Sequence, residues 1–155
     1  LSFEVEEPSY YSGLSLSVKR PKGVFFAATQ PEYISQNSVT VALDAMYDAR
    51  VKCSGDVAVL VDDNKELISR PWRPIFVVFN NKIYTPTAYE TVEYVTVVEA
   101  IRKVGYHLTV RPIPAESLMR MDEIFTADAM GLCSLSKIGN HSLLSIVAAL
   151  IADQM

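Results

Sequence analysis

The chain has 155 residues, half of them hydrophobic, with a formal net charge of -4. That is the size of one domain, long enough to bury most of its apolar surface without disulfides or metal. No apolar run approaches the roughly 20 residues of a membrane-spanning helix, and an acidic pI near 5.2 offers no positive field to a phosphate backbone, so neither membrane insertion nor direct nucleic-acid binding is expected as a main role.

Residues 1–13, LSFEVEEPSYYSG, mix acids, Ser, Pro and Gly with a few apolar anchors and read as a lead-in linker to a folded unit over 14–155. The chain starts at Leu1 without a charged-then-apolar leader, which reads as a processed product or part of something longer. Leu14, Leu16 and Val18 alternate with polar residues as in a half-buried strand, and a second strand follows the Arg20–Gly23 turn over Val24–Ala28. Apolar residues at three- and four-residue spacings predict a helix from Gln36 to Lys52, capped by Asn37 or Ser38. Val57–Val61 is a short strand, and the polar turn 62–65 returns the chain through Glu66–Ser69. The two prolines in Arg70-Pro71-Trp72-Arg73-Pro74 exclude a regular ladder there.

Ile75–Phe79 is a run of five β-branched, aromatic or other apolar residues, the composition of a core strand. Asn80-Asn81 tolerates positive φ, so Lys82–Tyr84 is expected to pair back as a hairpin. Glu90–Val104 is predicted helical with Val92, Val95, Val98 and Ile101 on its buried face and Gly105 as its stop. A strand over Leu108–Arg111, a short helix from Pro114 with the proline in its first turn, and a strand over Asp122–Thr126 come next. Ala127–Gly131 is expected to bend, Leu132–Ile138 to be extended, and His141–Met155 to form an amphipathic helix burying Leu144, Val147, Ala148 and Ile151. Interspersed strands and helices with mainly hairpin-like connections favour α+β over a doubly wound parallel sheet.

The order of these segments resembles a known family. Asp48-Ala49 in a helix, Gly55-Asp56 before a strand, the hairpin IFVV…YTP, the helix ending VGY, the strand VRPI and DEIFTADAMG before SKI together are similar to the large domain of the fold-type-IV pyridoxal-phosphate enzymes: branched-chain aminotransferases, D-amino-acid transaminases and aminodeoxychorismate lyases. The resemblance implies a mixed, mostly antiparallel sheet curled towards a barrel with flanking helices. It also implies that the family's smaller N-terminal domain, the other wall of the active site, has no counterpart in this sequence.

What the resemblance implies for chemistry is a degenerate site. The Lys that binds the cofactor covalently should precede the helix at Gln36–Lys52, but depending on one or two residues of alignment the place falls to Ser35, Ile34 or Tyr33, none of which can form an imine. Lys19, Lys22 and Lys52 are misplaced for that role. The Glu that pairs with the pyridine nitrogen falls at Ser69, and the Asn before the strand is Pro74. The two phosphate turns map to Thr91-Val92-Glu93 and Thr126-Ala127-Asp128, so Glu93 and Asp128 set carboxylates where phosphate would sit.

Elsewhere the chain offers no Gly-rich loop and no metal-ligand spacing. Cys53 and Cys133 read as thiols of a reducing compartment, His107 as a structural residue and His141 as a helix cap. Neither a cofactor nor a metal is expected. The expected function is therefore that of a non-catalytic, aminotransferase-like subunit of an intracellular assembly, mitochondrial in preference to cytoplasmic. Its partners would be other protein subunits, and a homo-oligomer is the alternative. The competing readings are a branched-chain-type aminotransferase completed by another chain, and a small-ligand module using the remnant cleft.

Overall fold

The computed structural model describes residues 61–62, 64–128, 131–138 and 141–155, together with the backbone of strands at Ser9–Tyr10, Val24–Ala27 and Val57–Val61. The expected strand over Leu14–Val18, the helix over Gln36–Lys52, Ser35 and Cys53 lie outside the described residues.

The strands, in chain order, are β1 (Ser9–Tyr10), β2 (Val24–Ala27), β3 (Val57–Val61), β4 (Leu67–Ile68), β5 (Ile75–Phe79), β6 (Lys82–Thr85), β7 (Leu108–Val110), β8 (Glu123–Asp128), β9 (Gly131–Ser134), β10 (Lys137–Ile138) and β11 (His141–Ser142). Helix α1 (Val92–Val104) joins β6 to β7, and α2 (Ile146–Ala152) closes the chain. Six strands form one mixed sheet in the order β1-β9-β8-β5-β6-β7, while β2-β3-β4 and β10-β11 form smaller sheets. In the main sheet β1/β9 and β6/β7 are parallel and the three central pairings antiparallel. This is the α+β architecture expected. Among the described residues β1 and β7 remain edges, so the sheet does not close into a barrel.

β5 lies at the centre of that sheet. Phe76 and Val78 pack with α1 and α2, while Ile75 and Val77 pack on the opposite face with Leu118, Ile124 and Leu135. Burial on both faces is why its sequence is continuously apolar rather than alternating. Phe76, fully buried, stacks between Tyr94 at 5.7 Å and Phe125 at 5.3 Å. Asn80 and Asn81 adopt φ of 49° and 59°, and the two-residue turn sets Phe79 opposite Lys82 as the Asn pair predicts. The polar turn after β3 also forms, with Asp62 Oδ1 accepting the N–H groups of Asn64 and Glu66.

Helix α1 differs from expectation in its rotation. Tyr94, Val97, Ala100 and Ile101 are buried, whereas Val92 is 79% exposed and Val95 41%. Residues spaced only by three drift about 60° round the helix per step, so the 92-95-98-101 series spirals off one face. The 94-97-101-104 series alternates three and four and holds it. Gly105 ends α1 at φ 89°, donating to Arg102 O and Ile101 O.

Four further differences concern the remainder of the chain. Residues 9–10 of the expected linker are strand β1, beside Gly131-Leu132 of β9; mixed composition does not prevent two residues from completing a sheet edge. The segment after Pro114 is a 3-10 helix over Ala115–Arg120, with Pro114 as its flanking N-cap rather than in its first turn. β8 runs on through Asp128 and β9 starts at Gly131, so Ala127, Asp128 and Gly131 of the expected bend are strand. His141 and Ser142 pair with β10 instead of starting the last helix, Leu144 is 55% exposed, and His141 Nε2 is 2.8 Å from Met121 O rather than capping. Helix α2 begins only at Ile146, where Glu123 caps it. That carboxylate is 2% exposed and accepts Val147 N–H at 2.8 Å and Ala148 N–H at 2.9 Å.

Candidate functional site

One end of the main sheet gathers the start of α1, the β8–β9 hairpin and the Arg70–Pro74 turn. Ala127 N–H donates to Pro74 O at 3.2 Å, which carries the β5–β8 pairing out to the turn. The turn is closed by an antiparallel bridge between Arg70 and Arg73. It is tied to the segment before α1 by Tyr89 Oη donating to Ser69 O at 2.8 Å and Thr91 Oγ1 donating to Pro71 O at 2.7 Å. Gly131 opposes Asp128 across the hairpin at φ 127°, a conformation that favours glycine.

Between these elements is a cleft of about 90 Å³, lined by Val92, Glu93 and Thr96 of α1, Ala127, Asp128 and Gly131 of the hairpin, and Met155. The structure thus brings Glu93 and Asp128, from the two segments that the sequence resemblance maps to phosphate turns, to a shared cavity. Thr91, Thr126 and Ser69 do not line it. The Thr91 hydroxyl is held by Pro71, and Ser69 Oγ accepts Ile75 N–H at 3.2 Å. Thr126 lies between Phe125 and Ala127, which pack against the helices, so strand alternation turns its side chain to the other face. Arg73 Nη2 reaches Asp128 Oδ2 at 3.5 Å with both side chains part-exposed.

The fit of pyridoxal phosphate can be judged on these donors. Glu93 sits in the first turn of α1, where the helix dipole would otherwise favour a bound anion, and Asp128 faces the same cavity. Against these two carboxylates stands the part-exposed Arg73 guanidinium, already engaged by Asp128. At Ser69 the side chain is a hydroxyl bonded to backbone, so no described carboxylate stands there for a pyridinium nitrogen. At the positions weighed, Glu93, Asp128 and Ser69 do not suit the cofactor's phosphate and pyridine nitrogen.

Arg70 was not singled out by sequence reasoning. It is 6% exposed, its guanidinium carbon lies 5.4 Å from the Trp72 ring centroid, and burial lowers its pKa against a smaller opposing effect of Tyr89. Burial likewise raises the Tyr89 and Tyr94 phenols above the ordinary value of 10. Its only sequence signal is an Arg-rich turn bracketed by Pro71 and Pro74. Among the described residues no cluster of His, Cys, Asp or Glu forms a metal centre, and no helix is long and apolar enough to cross a membrane. His107 is exposed and Cys133 buried.

No protein-family model and no curated protein matches the chain. Solved structures do. The T.th. branched-chain amino acid aminotransferase, complexed with N-(5'-phosphopyridoxyl)-L-glutamate, aligns with a TM-score of 0.72 at 18% identity, over 89% of this chain and 52% of its own. The M4 mutant of the enzyme from Thermobaculum terrenum gives 0.70 at 15% identity, over 86% and 50%. The Escherichia coli enzyme gives 0.67 at 15%, over 79% and 44%. The chain therefore spans about half the length of these aminotransferases. Sheet order, helix placement and these alignments agree that the chain has the fold of the large domain of fold-type-IV aminotransferases, as seen in the branched-chain enzymes.

Proposed function

We propose that this chain is a non-catalytic, aminotransferase-like protein that serves as a structural or interaction subunit of a larger intracellular assembly, in mitochondria in preference to the cytosol. The observation that carries the reading is the pairing of Glu93 and Asp128 on one cleft. Two carboxylates facing one cleft oppose a phosphate dianion, and Ser69 supplies no compensating charge. With Ser35, Ile34 or Tyr33 at the place that the resemblance gives to the cofactor-binding Lys, the covalent link would also lack its amine. A fold outlasts its chemistry because packing and site make separate demands on the sequence.

A role in contacts is supported by side chains that the fold leaves outside. Val92 and Val95 on α1 and Ile146 and Leu150 on α2 are apolar yet 41–79% exposed, as suits helices covered by a partner. The test has two arms. Incubated with pyridoxal phosphate, the chain should show only the spectrum of the free cofactor, before and after borohydride; stoichiometric labelling of one Lys would overturn the loss of catalysis. Purified from its native source, the chain should bring other subunits with it; a clean monomer would overturn the subunit role.

A further inference from the structure

The Arg70 guanidinium is a buried cation whose electrostatics are incomplete. Its terminal nitrogens Nη1 and Nη2 are both buried and make no hydrogen bond among the described residues. Its carbon lies 5.4 Å from the Trp72 ring centroid, a cation–π contact. That contact gives the N–H donors, through which guanidinium meets its strongest partners, no acceptor oxygen. Neighbouring groups are committed elsewhere: the Tyr89 hydroxyl donates to Ser69 O, and the Asp128 carboxylate takes Arg73.

A desolvated charge without a counter-charge is among the costliest arrangements in a folded chain, and side chains are seldom left so. Two more polar atoms, one on this turn and one on β8, are buried and make no hydrogen bond among the described residues. Arg73, bridged to Arg70 across the turn and so leaving from the same side, has a buried, unpartnered Nε. Thr126 Oγ1, on the strand that receives the turn, is buried and unpartnered too.

We propose that Arg70 anchors an oxyanion site that takes the carboxylate group of a small molecule, with Arg73 Nε and the Thr126 hydroxyl as supporting donors. Two terminal nitrogens in one plane match the two oxygens of a carboxylate. Its single charge matches that of the Arg70 guanidinium, whereas a phosphate dianion would bring one charge more than this single cation balances. The site stands independently of the subunit reading, since an interaction subunit and a solitary domain could equally hold such a ligand.

The test is thermal unfolding of the whole chain in acetate, in inorganic phosphate and in chloride at matched ionic strength, for wild type, Arg70→Met and Arg70→Lys. Acetate should raise the wild-type midpoint saturably above chloride and by more than phosphate does. Arg70→Met, which removes the unpaired charge, should fold at least as stably as wild type in chloride and lose the acetate response; Arg70→Lys, without the fork, should lose most of it. As a readout independent of any variant, the Arg70 guanidinium resonances of the wild type should shift on acetate titration. Equal midpoints in acetate and chloride with unmoved resonances would overturn the site. A stronger response to phosphate than to acetate would overturn the assignment to a carboxylate.

Discussion

Replacing Glu123 tests whether one buried carboxylate holds the last helix. Glu123 projects from β8 towards α2, 2% exposed, and its two oxygens accept Val147 and Ala148 N–H at 2.8 and 2.9 Å. Glu123→Gln preserves volume but puts an amide NH2 against one of those donors. A hydrogen bond to a charged group contributes about 1.5–3 kcal/mol, and losing a helix cap costs about 0.5–2 kcal/mol. One bond survives in the Gln variant, and relief of carboxylate desolvation offsets part of the loss, so about 2 kcal/mol is expected. Glu123→Ala orphans both N–H groups and opens a cavity, for about 3–5 kcal/mol. In urea, with a slope of about 2 kcal/mol per molar, the Gln variant should melt about 1 M earlier. Hydrogen exchange should quicken about 30-fold at Val147 and Ala148 if those amides open with the helix. A Gln variant with the wild-type midpoint and unchanged protection at both amides would refute the capping argument.

Gly105→Ala should destabilise by about 1 kcal/mol in the same assay; a Cβ there meets nothing within 4 Å, so the cost is that of φ 89° alone and an unchanged midpoint would contradict it. Asp128→Asn breaks the part-exposed pair with Arg73 and should cost no more than about 1 kcal/mol. It should also leave pyridoxal-phosphate affinity undetectable by fluorescence titration, because Glu93 remains; tight binding by the variant would mean that Asp128 alone was the obstacle. The raised Tyr89 and Tyr94 phenols favour the protonated form in the folded chain, so their contribution is complete below pH about 10 and is lost as pH rises through the folded pKa values. Absorbance at about 295 nm should show two tyrosines ionising later in the folded protein than in urea; coincident titrations would exclude the effect.

The residues of the amino-acid sequence alone determined those features whose causes are local. Five apolar residues followed by Asn-Asn specify β5 and its turn because both pattern and positive φ act within a few residues. Gly105 marks the end of α1 for the same reason. The ordered segments also implied the aminotransferase large-domain fold, and the places of the two degenerate turns within them; that Glu93 and Asp128 then meet at one cleft required the fold itself. Tertiary structure decided which face of α1 is inward, since Tyr94 and Ile101 follow the sheet they meet, and the exposed valines carry an apolar period with no surface to bury them. It decided that His141-Ser142 pairs as a strand and that α2 starts later, because the acceptor for its first N–H groups is Glu123, 24 residues before Val147. It decided, last, that Arg70 is buried, for a charge two residues from Trp72 reads as surface until the rest of the chain closes over it and removes the water that would have solvated it.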